Sequence, residues 1–91
     1  MDAKSYNVIV KRKLLRAIQK LPQGVQRKFN VLLHDLQDNG PLQPHWPNFS
    51  RLSHETYHCH LGYGWVACWE RKSNNLIIEV YYVGSREKAP Y

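Results

Sequence analysis

Apolar residues recur at helical spacing in the first half of this chain and at strand spacing in the second. Tyr6, Val8 and Val10 alternate with Asn7 and Ile9, which predicts a short opening strand. Leu14, Leu15, Ile18 and Leu21 follow at helical spacing, with Lys11, Arg12, Lys13, Arg16 and Lys20 on the remaining surface. That helix is expected to end at Leu21-Pro22, because a proline ring disfavours helical backbone at the residue before it. Val25, Phe29, Leu32, Leu33 and Leu36 form the apolar stripe of a second helix, and Asn39-Gly40-Pro41 supplies its stop.

Pro41, Pro44 and Pro47, with Trp46 among them, mark a loop from 41 to 48 that crosses from helix to sheet. Three strands are expected next: Glu55–Leu61, Trp65–Arg71 and Leu76–Val83, joined by turns at Gly62-Tyr63-Gly64 and Ser73-Asn74-Asn75. If Tyr63-Gly64 is a two-residue turn, Gly62 pairs with Trp65 and Cys59 falls opposite Cys68. Leu61 and Val66 then share the apolar, helix-covered face with those cysteines. The same parity puts His58 and His60 on the other face with Trp65, Ala67 and Trp69. A three-residue second turn carries that face onto Ile77, Glu79, Tyr81 and Val83. The whole, residues 1–91, reads as one α+β domain: an N-terminal strand and a helical hairpin packed on an antiparallel sheet. The partner of the first strand stays open at this point.

Charge changes the picture more than composition does. The hydrophobic share, 43%, is ordinary for a globular chain, but 13 Lys+Arg against 7 Asp+Glu leave a net charge of +6. Such a surplus suits a polyanion or an acidic protein partner. No apolar run approaches the roughly 20 residues that cross a bilayer, and Met1-Asp2-Ala3-Lys4-Ser5 lacks the apolar core of a secretory signal. Two cysteines without CxxC spacing fit a reducing, cytoplasmic setting as core thiols. Their expected apposition permits a cross-strand disulfide on oxidation.

His58 and His60, two apart on one strand, point the same way and can exchange protons near neutrality. Arg86, just past the last strand, offers a planar fork that suits a phosphate in its transition state. Tyr91 can stack or donate a proton, and Glu79 can act as a base if it faces the histidines. Each has a plainer reading: packed or solvated imidazoles, a surface salt bridge from Arg86 to Glu87 or Glu79, an exposed strand glutamate and a frayed end. A metal set of His54, His58 and His60 lacks a fourth ligand, since Cys59 points away, so no metal or other cofactor is expected. Trp65, Trp69 and Tyr81 are candidate stacking platforms for bases. Lys11, Arg12, Lys13, Arg16 and Lys20, with Arg27 and Lys28, form a candidate phosphate-backbone footprint, or simply a solvated helix face.

Tyr57-His58-Cys59-His60-Leu61, together with Val83-Gly84-Ser85-Arg86-Glu87-Lys88-Ala89-Pro90-Tyr91, resembles the RelE/ParE superfamily of toxins from toxin–antitoxin pairs, and the resemblance extends from Tyr6 to Tyr91. It implies a RelE-like fold and a ribosome-dependent, metal-free endoribonuclease that cuts messenger RNA and so inhibits translation. It also implies three partners: the ribosome, messenger RNA and a small antitoxin. The family's basic second-strand residues correspond to His58 and His60, its arginine after the last strand to Arg86, and its C-terminal tyrosine to Tyr91. A third-strand arginine common in the family is replaced by Trp65, and the basic pair is histidine rather than lysine. Two other outcomes stay open within the resemblance: a ParE-like DNA gyrase poison without nuclease chemistry, and an inactive relative that only binds its antitoxin.

Overall fold

A computed structural model describes residues 5–72 and 76–91. Strand β1 (Asn7–Val10) leads through a single 3-10 turn (Arg12–Leu14) into a short helix α1 (Leu15–Gln19). Helix α2 (Gln23–Asn39) follows, then strands β2 (Ser50–Arg51), β3 (Thr56–Gly62), β4 (Trp65–Lys72) and β5 (Ile77–Ser85), and a final 3-10 turn (Arg86–Lys88). Among the described residues no helix is long and apolar enough to cross a membrane. The expected turn at Ser73-Asn74-Asn75 lies outside the described residues.

The sheet is mixed, in the order β1-β5-β4-β3-β2. β3, β4 and β5 form the antiparallel meander that the spacing predicts. β1 settles the open question by pairing parallel to β5, with Val8 beside Ile78 and Val10 beside Val80. The two helices, laid on one face of the sheet, carry the chain from β1 to β2 at the far edge, and the meander then brings it back to β5 beside β1. β2 was not legible in the pattern; it adds two residues to the far edge, with Ser50 opposite His58.

Helix α2 starts just after Pro22, which restricts Leu21 and then serves as the cap residue. Its apolar stripe buries Phe29, Leu32 and Leu36 against Tyr57, Cys59, Leu61, Ala67, Trp69, Ile78, Val80 and Val83. It ends at Gly40, whose φ of +92° closes the helix. A Cβ at Gly40 would also stand 2.8 Å from the Tyr6 ring, so both conformation and space demand glycine there. The proline-rich loop is tied down by its own side chains. Gln43 Nε2 donates to the carbonyls of Gly40 and Asp35, and Trp46 Nε1 donates to the Asp35 carboxylate at 2.8 Å. The bond to Gly40 satisfies a carbonyl left over at the helix end.

Two bulges set which residues face where. The β3–β4 hairpin does pair Gly62 with Trp65, but the register shifts between His60 and Gly62, so His60 lies opposite Val66 and His58 opposite Cys68. A second shift between Cys68 and Trp69 leaves Tyr81 as the extra residue of β5. An extra residue reverses strand parity on one side of the bulge. Trp65, Ala67, Trp69 and Val83 therefore belong to the helix-covered face rather than to the histidine face. Cys59 and Cys68 lie on opposite faces, both free and buried, and the expected cross-strand apposition is overturned. Burial pushes both thiols up to about 12.

Candidate functional site

On the face away from the helices, His58 and His60 stand side by side on β3 with ring centroids 5.7 Å apart. β4 contributes Val66 and Cys68 beneath them, both fully buried, and β5 contributes Tyr82 and Gly84 on the next rungs. The C-terminal segment then turns back over this surface. It starts where the Arg86 N–H donates to the Gly64 carbonyl at 2.8 Å, joining the end of β5 to the tip of the β3–β4 hairpin. Tyr82 folds along its own strand so that its hydroxyl donates to the Ser85 carbonyl at 2.7 Å. That path runs over Gly84, where a Cβ would meet the Tyr82 hydroxyl at 2.9 Å. A side chain at Gly84 would displace the Tyr82 hydroxyl from this position. The segment ends with the Tyr91 ring on His58, centroids 4.5 Å apart.

Under that ring His58 keeps only 7% of its surface, although it faces away from the core. Ser50 Oγ lies 3.0 Å from its Nδ1, reaching across from β2. The imidazole is thus held on one side by a hydroxyl and on the other by a phenol ring. Burial pulls the His58 pKa below its usual value, the neighbouring His60 adds to the shift, and a hydrogen bond with the Ser50 backbone partly opposes it. His60 is half-buried, and its pKa is also lowered, first by burial and then by the Arg86 guanidinium nearby. The Tyr91 phenol shifts the other way. Burial and the thiol of Cys68 raise it, while Arg86 partly offsets them. Neutral imidazoles that accept protons thus stand beside a phenol that keeps its own, the divergence that sorts acids from bases.

His58, His60, Arg86 and Tyr91, four residues anticipated from the sequence, converge on one face. Glu79 shares the face but lies toward the other end of the sheet, on the rung of Glu70, and its carboxylate pairs with Lys72 at 3.5 Å. Tyr81 sits beside Thr56, Cys68 and Glu70, with burial raising its pKa. Trp69 is no platform for a base: it is fully buried on the helix side, with Nε1 donating to the Pro41 carbonyl. Trp65 packs against the same core. Lys11, Arg12, Lys13, Arg16 and Lys20 run along the turn and helix at the start of the helical layer, with Arg12, Lys13, Arg16 and Lys20 exposed. They are a separate surface from the histidine face. His54 pairs with Glu55 at 3.3 Å, and among the described residues no three His, Cys, Asp or Glu side chains cluster as metal ligands.

Ser50 is the site residue the sequence did not disclose, because a two-residue strand leaves no periodic signal. Ser50→Ala removes the hydroxyl beside Nδ1, so the 15N shift of the His58 Nδ1 should move. A stability loss of about 1 kcal/mol should accompany it. An unchanged Nδ1 shift would mean that the hydroxyl does not hold the ring.

No family model matches the sequence, and no curated protein does. Solved structures do. The archaeal RelE–RelB complex from Pyrococcus horikoshii superposes with a TM-score of 0.73 at 17% identity, over 93% of this chain and 99% of that one. The isolated Escherichia coli RelE toxin gives 0.72 at 17% identity, over 94% of this chain and 89% of that one. The YoeB dimer from Staphylococcus aureus gives 0.68 at 15% identity, over 90% and 98%. The chain has the RelE fold, two helices on a five-stranded mixed sheet.

Proposed function

We propose that this chain is the toxin of a type II toxin–antitoxin pair and acts as a ribosome-dependent endoribonuclease on messenger RNA. The observation that carries the reading is the convergence of His60, Arg86, Tyr91 and His58 on the sheet face away from the helices. Structural likeness to RelE and YoeB toxins supports it, and the RelE–RelB and YoeB–YefM complexes support an antitoxin as partner.

In the proposed reaction, the neutral His60 imidazole takes the proton of a ribose 2′-hydroxyl. The 2′-oxygen attacks the adjacent phosphorus while Arg86 holds the non-bridging oxygens and the charge that gathers on them. The bond to the 5′-oxygen breaks, and the Tyr91 phenol supplies the proton that this oxygen needs. The products are a 2′,3′-cyclic phosphate and a 5′-hydroxyl, and no step calls for a metal ion. His58, covered by the Tyr91 ring, positions the phenol. Half-buried Lys11 and the exposed Arg12, Lys13, Arg16 and Lys20 serve a second contact, with ribosomal RNA backbone.

The test is primer extension on a messenger RNA in a purified translation system, with EDTA-treated free RNA alongside. Cuts confined to decoding-site codons support the reading. Absence of cutting, with inhibition of DNA supercoiling instead, overturns it in favour of a gyrase poison.

The pH profile follows from the shifts. A base with a lowered pKa is already neutral at pH 6.5, so the acid limb of the rate should lie below that value. A phenol with a raised pKa keeps its proton past pH 10, so the rate should stay flat between the two limits. A bell centred near pH 6.5 would instead point to a histidine acid.

A further inference from the structure

The peptide unit that carries Arg86 is held at both of its polar ends. Its N–H donates to the Gly64 carbonyl at 2.8 Å. Its carbonyl, which belongs to Ser85, accepts the Tyr82 hydroxyl at 2.7 Å, the usual length of a well-made O–H···O bond. The first bond continues the β4–β5 ladder, in which Trp65 lies opposite Ser85. The second has no such origin. Tyr82 is half-buried on the open face and takes no part in the hydrophobic core, so its ring is not there to fill the interior. It runs along β5 over Gly84, where a Cβ would stand 2.9 Å from the hydroxyl. A phenol at Tyr82 and a bare backbone at Gly84 are both explained by one bond to the Ser85 carbonyl.

We infer that Tyr82 is a positioning residue for Arg86: its hydroxyl fixes the peptide from which the guanidinium reaches the phosphate. The inference rests on the nuclease reading. Arg86 itself is exposed, and among the described residues no carboxylate pairs with its guanidinium. Its aim is then set from the backbone end. A cation that meets a transition state works best on a support already in place, since a misplacement of about 1 Å can cost on the order of 10²-fold in rate. The guanidinium stands close enough to His60 to lower its pKa, so that imidazole reports where the cation is. The other ionisable groups at this end of the face are His58 on β3, Cys68 on β4, Tyr82 itself on β5, and Tyr91 from the C-terminal segment. Tyr82→Phe takes away one hydroxyl and leaves the rest in place.

The test has two readouts, one of which needs no RNA. In the full chain alone, NMR titration of the His60 imidazole should give a higher pKa in Tyr82→Phe than in the wild type, and no higher than in Arg86→Ala. Gly84→Ala should produce the same displacement with the hydroxyl still present, because the added methyl pushes the Tyr82 ring off the carbonyl. In the translation system, Tyr82→Phe should lower the single-turnover cleavage rate by about 10–10²-fold. Tyr82 acts through Arg86, so adding Tyr82→Phe to Arg86→Ala should cost nothing further. A His60 titration that is unchanged in Tyr82→Phe overturns the inference. So does a double variant slower than Arg86→Ala alone, which would give Tyr82 a part of its own in the reaction. A wild type that cuts nothing loses the nuclease reading. In that case a His60 pKa that still rises in Tyr82→Phe keeps the positioning of Arg86, and one that stays put loses that as well.

Discussion

Arg86→Ala should lower messenger RNA cleavage by about 10²–10³-fold, and His60→Ala by about 10²–10⁴-fold, with both proteins folded. Neither side chain belongs to the buried core, so neither truncation opens a cavity. Arg86 is expected to act on the charge of the transition state, and its loss should appear in kcat as well as in binding. The two residues also interact, since the guanidinium holds the His60 pKa down. In the proposed reaction, removing Arg86 therefore does two things: it strips the phosphate clamp and lets His60 gain protons more readily. The acid limb of the Arg86→Ala profile should move toward higher pH, a displacement that a loss of phosphate binding alone does not produce. The double variant should fall short of the product of the two single losses, because the groups serve one reaction. Single-turnover rates across pH in the translation system measure both effects. Full cleavage by either variant would remove that residue from the site.

How much of this was legible in the chain divides cleanly by physical cause. Helix α2 and strand β3 were written in apolar periodicity, because the spacing reports the buried face, while β4 and β5 were legible as apolar runs bounded by turn residues. The convergence of His58, His60, Arg86 and Tyr91 was legible too, since the first two share strand parity and the others follow the last strand. What the pattern could not report was the register. Val66 and Cys68 are apolar although they lie on the histidine face, because Tyr91 and its segment cover that surface. β4 thus reads as Trp-Val-Ala-Cys-Trp, apolar at every position, and alternation has nothing to say about which way it faces. The hairpin end was right, with Gly62 opposite Trp65, yet one extra residue after His60 moved every later pair. A bulge is a single-residue event with no composition of its own. It is also the event that separates the two cysteines and sends the tryptophans into the core.

Trp69→Ala should destabilise the protein by about 3–5 kcal/mol, the largest stability effect expected of any single truncation in the chain. The residue is the largest side chain with no exposed surface. Its ring packs against Phe49 at 6.1 Å and Tyr57 at 6.4 Å, which also stack on each other at 5.9 Å. Its indole N–H donates to the Pro41 carbonyl at 3.0 Å, 28 residues away. The proline-rich loop after α2 is therefore fastened to the sheet by this side chain, in addition to the bond from the His60 N–H to the Pro47 carbonyl. Small domains carry only about 5–15 kcal/mol in all, so the variant should lose a large share of its stability. Trp69→Phe isolates the polar part of the effect. It keeps most of the apolar contact but leaves the Pro41 carbonyl without its donor, at a cost of about 1–3 kcal/mol. Chemical denaturation of the two variants separates packing from the hydrogen bond. The same pair distinguishes a core residue from a base-stacking platform: a stacking role predicts normal stability with weakened RNA binding, whereas burial predicts that any loss of cleavage tracks the fraction unfolded. Trp69→Phe, folded but less stable, should cut RNA at the wild-type rate well below its melting temperature.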